Sequence, residues 1–213
     1  MSALLARSKE LTLEYLALHF GPVELQRPLS REEFVALAER YPDLGLEREK
    51  NGAVTVMSPV KRGSSKRESS VIALLYIWNE NLARAGEVHG ATGGFDLPDG
   101  TTKSPDVAWI SPARLAAAPQ YEEEDFVKIV PDFVAEVRSH TDRLKKLQKK
   151  MTDTWMANGV RLAWLIDPYE EKVHIYRQGK EVEIAEGFAG KKLSGEDVLP
   201  GFELPLDKMR AKQ

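Results

Sequence analysis

The chain has 213 residues, no cysteine, 30 Lys and Arg against 33 Asp and Glu, and a formal charge of −3. That length suits one well-buried domain, or a domain with an appended arm, rather than two large ones, and the lack of cysteine excludes disulfide frameworks, thiolate zinc sites and cysteine nucleophiles. No apolar stretch approaches the roughly 20 residues of a membrane helix and no basic segment leads into an apolar run, so the expectation is a cytoplasmic protein off the membrane, with any metal held by oxygen or histidine.

Ser2 to Phe20 carries Leu4, Leu5, Leu11, Tyr15, Leu16 and Leu18 at helical spacing and stops at Gly21-Pro22. Residues 1–29 are therefore expected as an N-terminal helical arm. Ser30-Arg-Glu-Glu33 is a capping box, with Phe34, Leu37, Ala38 and Tyr41 as the buried face and Pro42 closing the helix. Leu46 to Lys50 and Ala53 to Met57 flank Asn51-Gly52, the signature of a tight hairpin. From Ser64 onward, Val71, Leu74, Leu75, Trp78 and Leu82 form one stripe of a helix ending near Gly86. Glu68 has two readings: a member of the box Ser65-Lys-Arg-Glu68, or a carboxylate at the edge of the core open to a metal.

Phe95 to Leu97, the turn Pro98-Asp-Gly100 and Val107 to Ile110 read as a second hairpin, with Asp96 in its first arm and Asp106 opening its second. Arg114 to Glu124, interrupted by Pro119, reads as a surface connection. Phe133 to Val137 is the most strand-like run, and its alternation puts Val134, Glu136 and Arg138 on one face. After Ser139-His-Thr-Asp142, a helix-start cluster, Leu144, Leu147, Met151 and Trp155 form an apolar stripe running to Asn158-Gly159. Leu162 to Ile166 and Val173 to Tyr176 follow as a strand pair, with Glu181 to Ile184 as an edge. The strand-helix-strand step from Phe133 to Leu165 predicts a parallel crossover. The fold class expected is α/β (α+β), a mixed central sheet flanked by helices over residues 30–190, with 191–213 as an irregular C-terminal tail.

Asp106, in Asp-Val-Ala-Trp-Ile, and Glu136, in Phe-Val-Ala-Glu-Val, are the informative acids, because a carboxylate in such surroundings costs several kcal/mol unless a cation meets it. An ordinary ion pair of Glu136 with Arg138 or Lys150, and Asp106 capping the turn after Pro105, would satisfy that need without chemistry. Arg138, Arg143, Lys145, Lys146, Lys149, Lys150 and Arg161 crowd one segment opposed by Asp142 and Asp153, either a solvated helix face or a surface for a polyanion. His140 reads as a solvent-facing loop histidine, and Trp109, Trp155 and Trp164 as core.

Pro105-Asp106 followed by Glu136-Val-Arg138 resembles the Pro-Asp…Glu-x-Lys motif of the PD-(D/E)XK nuclease superfamily. Ser30-Arg-Glu-Glu-Phe34, Val56-Met-Ser-Pro59, Leu97-Pro-Asp-Gly100, Ser104-Pro-Asp106, Val130 to Val137 and Asn158 to Pro168 are similar, in order, to successive blocks of the Uma-two family within it. The resemblance implies a restriction-endonuclease-like fold and a DNA endonuclease. In it Asp106 and Glu136 hold Mg²⁺, or Mn²⁺, and Glu68 matches the place of a further acid. A lysine positions the attacking water, and the protein pairs as a homodimer. Arg138 stands where the lysine is usual and cannot accept a proton, though it can clamp a phosphate. The family is similar to branches whose lysine has moved to the following helix, and there Lys150, three residues after Leu147 and so near the apolar flank, is expected to act, with Lys149 as its rival. Arg138, Arg143, Lys145 and Lys146 are the expected DNA contacts. Two alternatives stay open: a nuclease-like module that binds nucleic acid or assembles without catalysis, and a carboxylate-pair hydrolase of a small substrate.

Overall fold

Thr12 caps the first helix, α1 (Leu13–Phe20), by accepting the Tyr15 amide at 3.1 Å. A short strand, β1 (Val23–Glu24), leads to α2 (Arg31–Arg40), whose start is the expected capping box: Ser30 Oγ accepts the Glu33 amide at 3.2 Å and Glu33 Oε2 accepts the Ser30 amide at 2.9 Å. The hairpin β2 (Leu46–Arg48) and β3 (Val54–Val56) turns through Gly52 at φ 86°, a conformation that costs glycine least, and β1 pairs antiparallel with β3. The computed structural model describes residues 12–58, 61–83, 85–119 and 125–211, so the first half of the expected N-terminal helix lies outside them. Contacts divide the chain into Met1–Pro59 and Val60–Gln213, a division that falls neither at residue 30 nor at 191.

The second unit opens with α3 (Arg62–Glu80) and β4 (Glu87–Gly90), then β5 (Phe95–Asp96), β6 (Thr102–Lys103), β7 (Val107–Ile110), α4 (Pro112–Ala117) and β8 (Phe133–Val137). It continues with α5 (Leu144–Lys150), which runs into a π-helical turn, Met151–Met156, then β9 (Leu162–Asp167), β10 (Lys172–Arg177), β11 (Glu183–Glu186), β12 (Lys192–Ser194) and β13 (Glu203–Pro205). Six strands form one mixed sheet in the order β11-β10-β9-β8-β7-β4. Its parallel step is β8 beside β9, as the crossover rule predicts, and its other steps are antiparallel.

The strand alternation sorts two layers. Phe133, Ala135 and Val137 point with Trp164 and Ile166 into a core covered by Val71 and Leu75 of α3. Val134, Ala163 and Leu165 point the other way, under Met151 and Trp155. No helix among the described residues is long and apolar enough to cross a membrane.

Three expectations change. Val107 to Ile110 does not pair with Phe95 to Leu97. The turn at Gly100 (φ 85°) closes early, with the Leu97 amide donating to Thr101 O at 2.8 Å, so β5 takes β6 as its partner and β7 is left to pair β4 and β8. The second helix of the stripe starts earlier than Ser64, at Arg62, and the Ser65 amide already donates to Lys61 O at 3.1 Å. Ser65-Lys-Arg-Glu68 is therefore not a capping box, and Glu68 sits in the second turn. The tail from residue 191 is not irregular: β12 pairs β13, and Leu193, Leu199, Phe202, Leu204, Leu206 and Met209 join the α3-side core. Pro200-Gly201 and Pro205 hid that hairpin from a periodicity reading.

Phe202 stacks on Trp164 at 6.2 Å between ring centroids and meets Trp78 at 5.8 Å. Phe202→Ala is expected to lower the unfolding free energy by about 3–5 kcal/mol, read as a lower urea midpoint at unchanged slope.

Candidate active site

Antiparallel pairing sets Val107 against Ala135, so Asp106, one residue before it, comes opposite Glu136 at the end of the sheet where β7 begins and β8 finishes. Asp106 Oδ2 accepts the Val137 amide at 2.6 Å. Glu136 is 3% exposed, on the face that carries Val134, and its Oε1 receives two donors: Lys150 Nζ at 2.9 Å and Trp155 Nε1 at 3.0 Å. The Lys150 ammonium also donates to Ser104 O at 3.1 Å, two residues before Asp106, and lies 5.9 Å from the centre of the Trp155 ring. Asp106, Glu136 and Lys150 are thus joined through three elements.

The π-helical turn explains how one helix supplies both donors. Residues i and i+5 diverge on an α-helix but share a face where the hydrogen bonds run i to i−5. Such bonds are present here, from the Ala157 amide to Thr152 O at 3.1 Å and from the Val160 amide to Trp155 O at 3.1 Å. Lys150 and Trp155 consequently reach the same carboxylate oxygen.

Lys149 is not part of this group. Its side chain is 78% exposed and lies 4.0 Å from Asp153, whereas that of Lys150 is 16% exposed. Glu68, buried on α3, sits near enough for Glu136 and Asp142 to raise its pKa, although burial is the larger cause. Arg138 pairs with neither site acid. Its Nη1 donates to the buried Asp167 at 2.6 Å and its Nε to Asp142 O at 3.3 Å, tying the end of β8 to the end of β9. Arg143, Lys145 and Lys146 lie exposed at the start of α5, and His140 stands 5.7 Å from the Tyr169 ring.

Asp106 is held well above the ordinary aspartate range. Loss of hydration is the first cause, then the Glu136 and Glu68 carboxylates, while the Val137 amide and the Lys150 ammonium act the other way. Several carboxylates therefore converge on one ammonium, an excess of negative charge that a cation would relieve. The donor chemistry, carboxylate oxygens beside backbone carbonyls, suits a hard divalent ion. Among the described residues no three acidic or histidine side chains come together as a ready-made metal cage, so a metal here would rest on the Asp106–Glu136 pair with Glu68 at its margin.

The profile of the Uma2 family, described as "Putative restriction endonuclease", matches residues 31–207. The chain belongs to this family. A solved structure titled as a "putative nuclease belonging to DUF820" from Anabaena variabilis superposes with a TM-score of 0.70 at 20% identity, covering 85% of this chain and 97% of that one. That likeness shows a shared fold. No curated protein matches the chain.

For this Uma2 chain, sequence reasoning missed Trp155 as a donor to Glu136, Ser104 O as the acceptor for Lys150, and Asp167 as the partner of Arg138. Asp167-Pro168 was legible as a strand stop, and the 0% exposure of Asp167 is what demands the arginine. No α-helical pattern could have put Trp155 beside Lys150.

The raised Asp106 pKa fixes a pH dependence. The folded state binds that proton more tightly than the unfolded chain, so the stability tied to it is complete below the unfolded value of about 3.9 and is lost as pH rises toward the folded value. Asp106→Asn keeps an acceptor for Val137 and removes the charge. In chelator it is expected to match or fall below wild type near pH 4 and to exceed it by on the order of 1 kcal/mol at neutral pH, in urea titrations at each pH.

Proposed function

We propose that the chain is a divalent-metal-dependent phosphodiester hydrolase acting on DNA, with Mg²⁺ or Mn²⁺ held by Asp106 and Glu136 and assisted by Glu68. The observation that carries this reading is the placement of Lys150 2.9 Å from Glu136. It supplies from α5 the lysine that the Glu136-Val-Arg138 motif lacks. A bound metal would neutralise charge on the phosphoryl oxygens and lower the pKa of a water.

The chain's own residues do the rest. Asp106 and Glu136 present oxygens at one end of the sheet, with Asp106 oriented by the Val137 amide. Trp155 holds Glu136 Oε1 and limits its rotation. Lys150, anchored by Ser104 O, has three donors and can orient the attacking water or take up its proton when the ammonium is unloaded. Water attacks phosphorus, one P–O ester bond breaks, and the departing oxygen takes a proton, leaving a phosphate monoester and a hydroxyl end. Arg143, Lys145 and Lys146, exposed at the start of α5, would meet backbone phosphates, a role that would make binding fall steeply with salt.

The binding-module alternative drew on the acidic total charge and on the arginine at the lysine position; Lys150 beside Glu136 answers the second and leaves the first. Supercoiled DNA incubated with Mg²⁺ or Mn²⁺ tests the reading. Asp106→Ala, Glu136→Ala and Lys150→Met are each expected to lower cleavage by about 100-fold or more, while Lys149→Ala retains it. Cleavage that survives both acid substitutions sinks the assignment. Absence of any nicking by wild type, together with no Mn²⁺ binding heat that depends on Asp106, favours a module without catalysis.

A further inference from the structure

Arg67 is 7% exposed, yet its Nε and Nη1 are buried without any hydrogen-bond partner. A guanidinium stays protonated, so burial cannot neutralise it and an anion must be its complement. The side chain points back along α3, as helical side chains do, and Nη1 lies 3.4 Å from where a Cβ on Gly63 would stand. It therefore rests over the first turn of a 19-residue helix whose N-cap, Lys61, gives no side-chain cap and whose first turn has no acidic residue. Two guanidinium nitrogens without a partner among the described residues thus lie beside a helix N-terminal turn that no side chain caps, two donor groups suited to a phosphate. The Tyr169 ring, 5.8 Å from the Arg67 guanidinium, backs it, and Arg138 stands at 5.8 Å from the same ring. A cation–π contact with one ring replaces only a small part of the hydration that the buried fork has lost. Because β8 and β9 are parallel, Arg138, Tyr169 and the ends of both strands lie at the Asp106–Glu136 end of the sheet, and Glu68 follows Arg67 directly on α3.

We infer that Arg67 and the N-terminal turn of α3 form a receptor for a backbone phosphate of the nucleic acid, next to the one presented to the carboxylates; its nucleic-acid part rests on the nuclease reading above. Neither Arg67 nor this turn was singled out as functional from the sequence. An internal ion-pair role would need a carboxylate on the fork, and Arg138, which has one in Asp167, shows the contrast.

The test uses the full chain in chelator, so that the acid pair plays no part. Inorganic phosphate is titrated against chloride at constant ionic strength, with Tm as the readout, and a labelled short DNA duplex is titrated by anisotropy. Wild type is expected to show a saturable, phosphate-dependent rise in Tm. Arg67→Met is expected to have a higher Tm than wild type without phosphate, because it removes an unpaired buried cation, and to lose the phosphate-dependent rise. Arg67→Lys keeps the charge without the fork and is expected to bind both phosphate and DNA about ten-fold more weakly. Equal phosphate responses in wild type and Arg67→Met, or no saturable response in wild type, overturn the receptor. If Arg67→Met does not fold, Arg67→Lys decides, and wild-type affinity there overturns it too. Weakened phosphate binding with unchanged DNA affinity overturns the backbone assignment. Asp106→Asn retains the phosphate response in either case, so loss of the nuclease reading shows as missing cleavage with that response intact, and loss of the receptor shows as cleavage without it.

Discussion

The contact between Lys150 and Glu136 is the constraint on which the rest of this sheet end depends. Glu136 lies inside a strand paired on both sides, under Met151 and Trp155, and an unpaired carboxylate there would cost several kcal/mol or give up its charge. The ammonium and the indole share one of its oxygens, at 2.9 and 3.0 Å. Satisfying that oxygen fixes the rotation of the π-helical turn over the sheet. It also fixes the loop at Ser104, because the same ammonium holds its carbonyl. That loop leads straight into Asp106.

Moving the lysine off the strand frees position 138 for another task. Arg138 closes on Asp167, which terminates β9, and so clamps the ends of the two parallel strands. Parallel neighbours share no hairpin, and their ends need some such tie. One arginine–carboxylate pair thus ties two strand ends and one lysine–carboxylate pair ties the helix to the strand, two residues apart on the same strand face. Exchanging the two bases would not preserve this, since guanidinium offers a rigid fork and no route to deprotonation.

How far the sequence spoke for itself depended on the period of the signal. Phe133 to Val137 alternates cleanly, so its two faces, the parallel crossover and the inward aim of Glu136 were all readable. Lys150 is preferred to Lys149 for its place three residues after Leu147 on an α-helical face; what no α-helical wheel contains is the π-helical turn after it, which brings Trp155 to the same carboxylate oxygen. Glu68 was open between cap and site for a similar reason: the helix begins at Arg62, a start that lacks any capping side chain and so leaves no mark in the sequence. The misassigned hairpin came from proximity, with Val107 to Ile110 following the Gly100 turn closely while its true partner, β4, lies before it. The C-terminal hairpin was hidden by prolines and glycine, yet its apolar residues complete the core over Trp164. Patterns within an element were legible; choices between elements were decided by packing.

Charge at the sheet end gives the last step. Burial first, and then the Glu136 and Glu68 carboxylates, hold the Asp106 proton above the usual range, against the Val137 amide and the Lys150 ammonium. Carboxylates gathered at one end of the sheet repel a nucleic-acid backbone. Divalent charge between Asp106 and Glu136 would reverse the local field, expel the proton from Asp106 and turn repulsion into attraction, so metal and polyanion would favour each other's binding by the same free energy. Arg67 sets the other limit, since its buried guanidinium keeps a positive charge at this end of the sheet whether or not a metal is bound. Under the proposed function, a phosphate could then be captured at Arg67 first, with the carboxylate pair admitting its neighbour only once a cation has arrived.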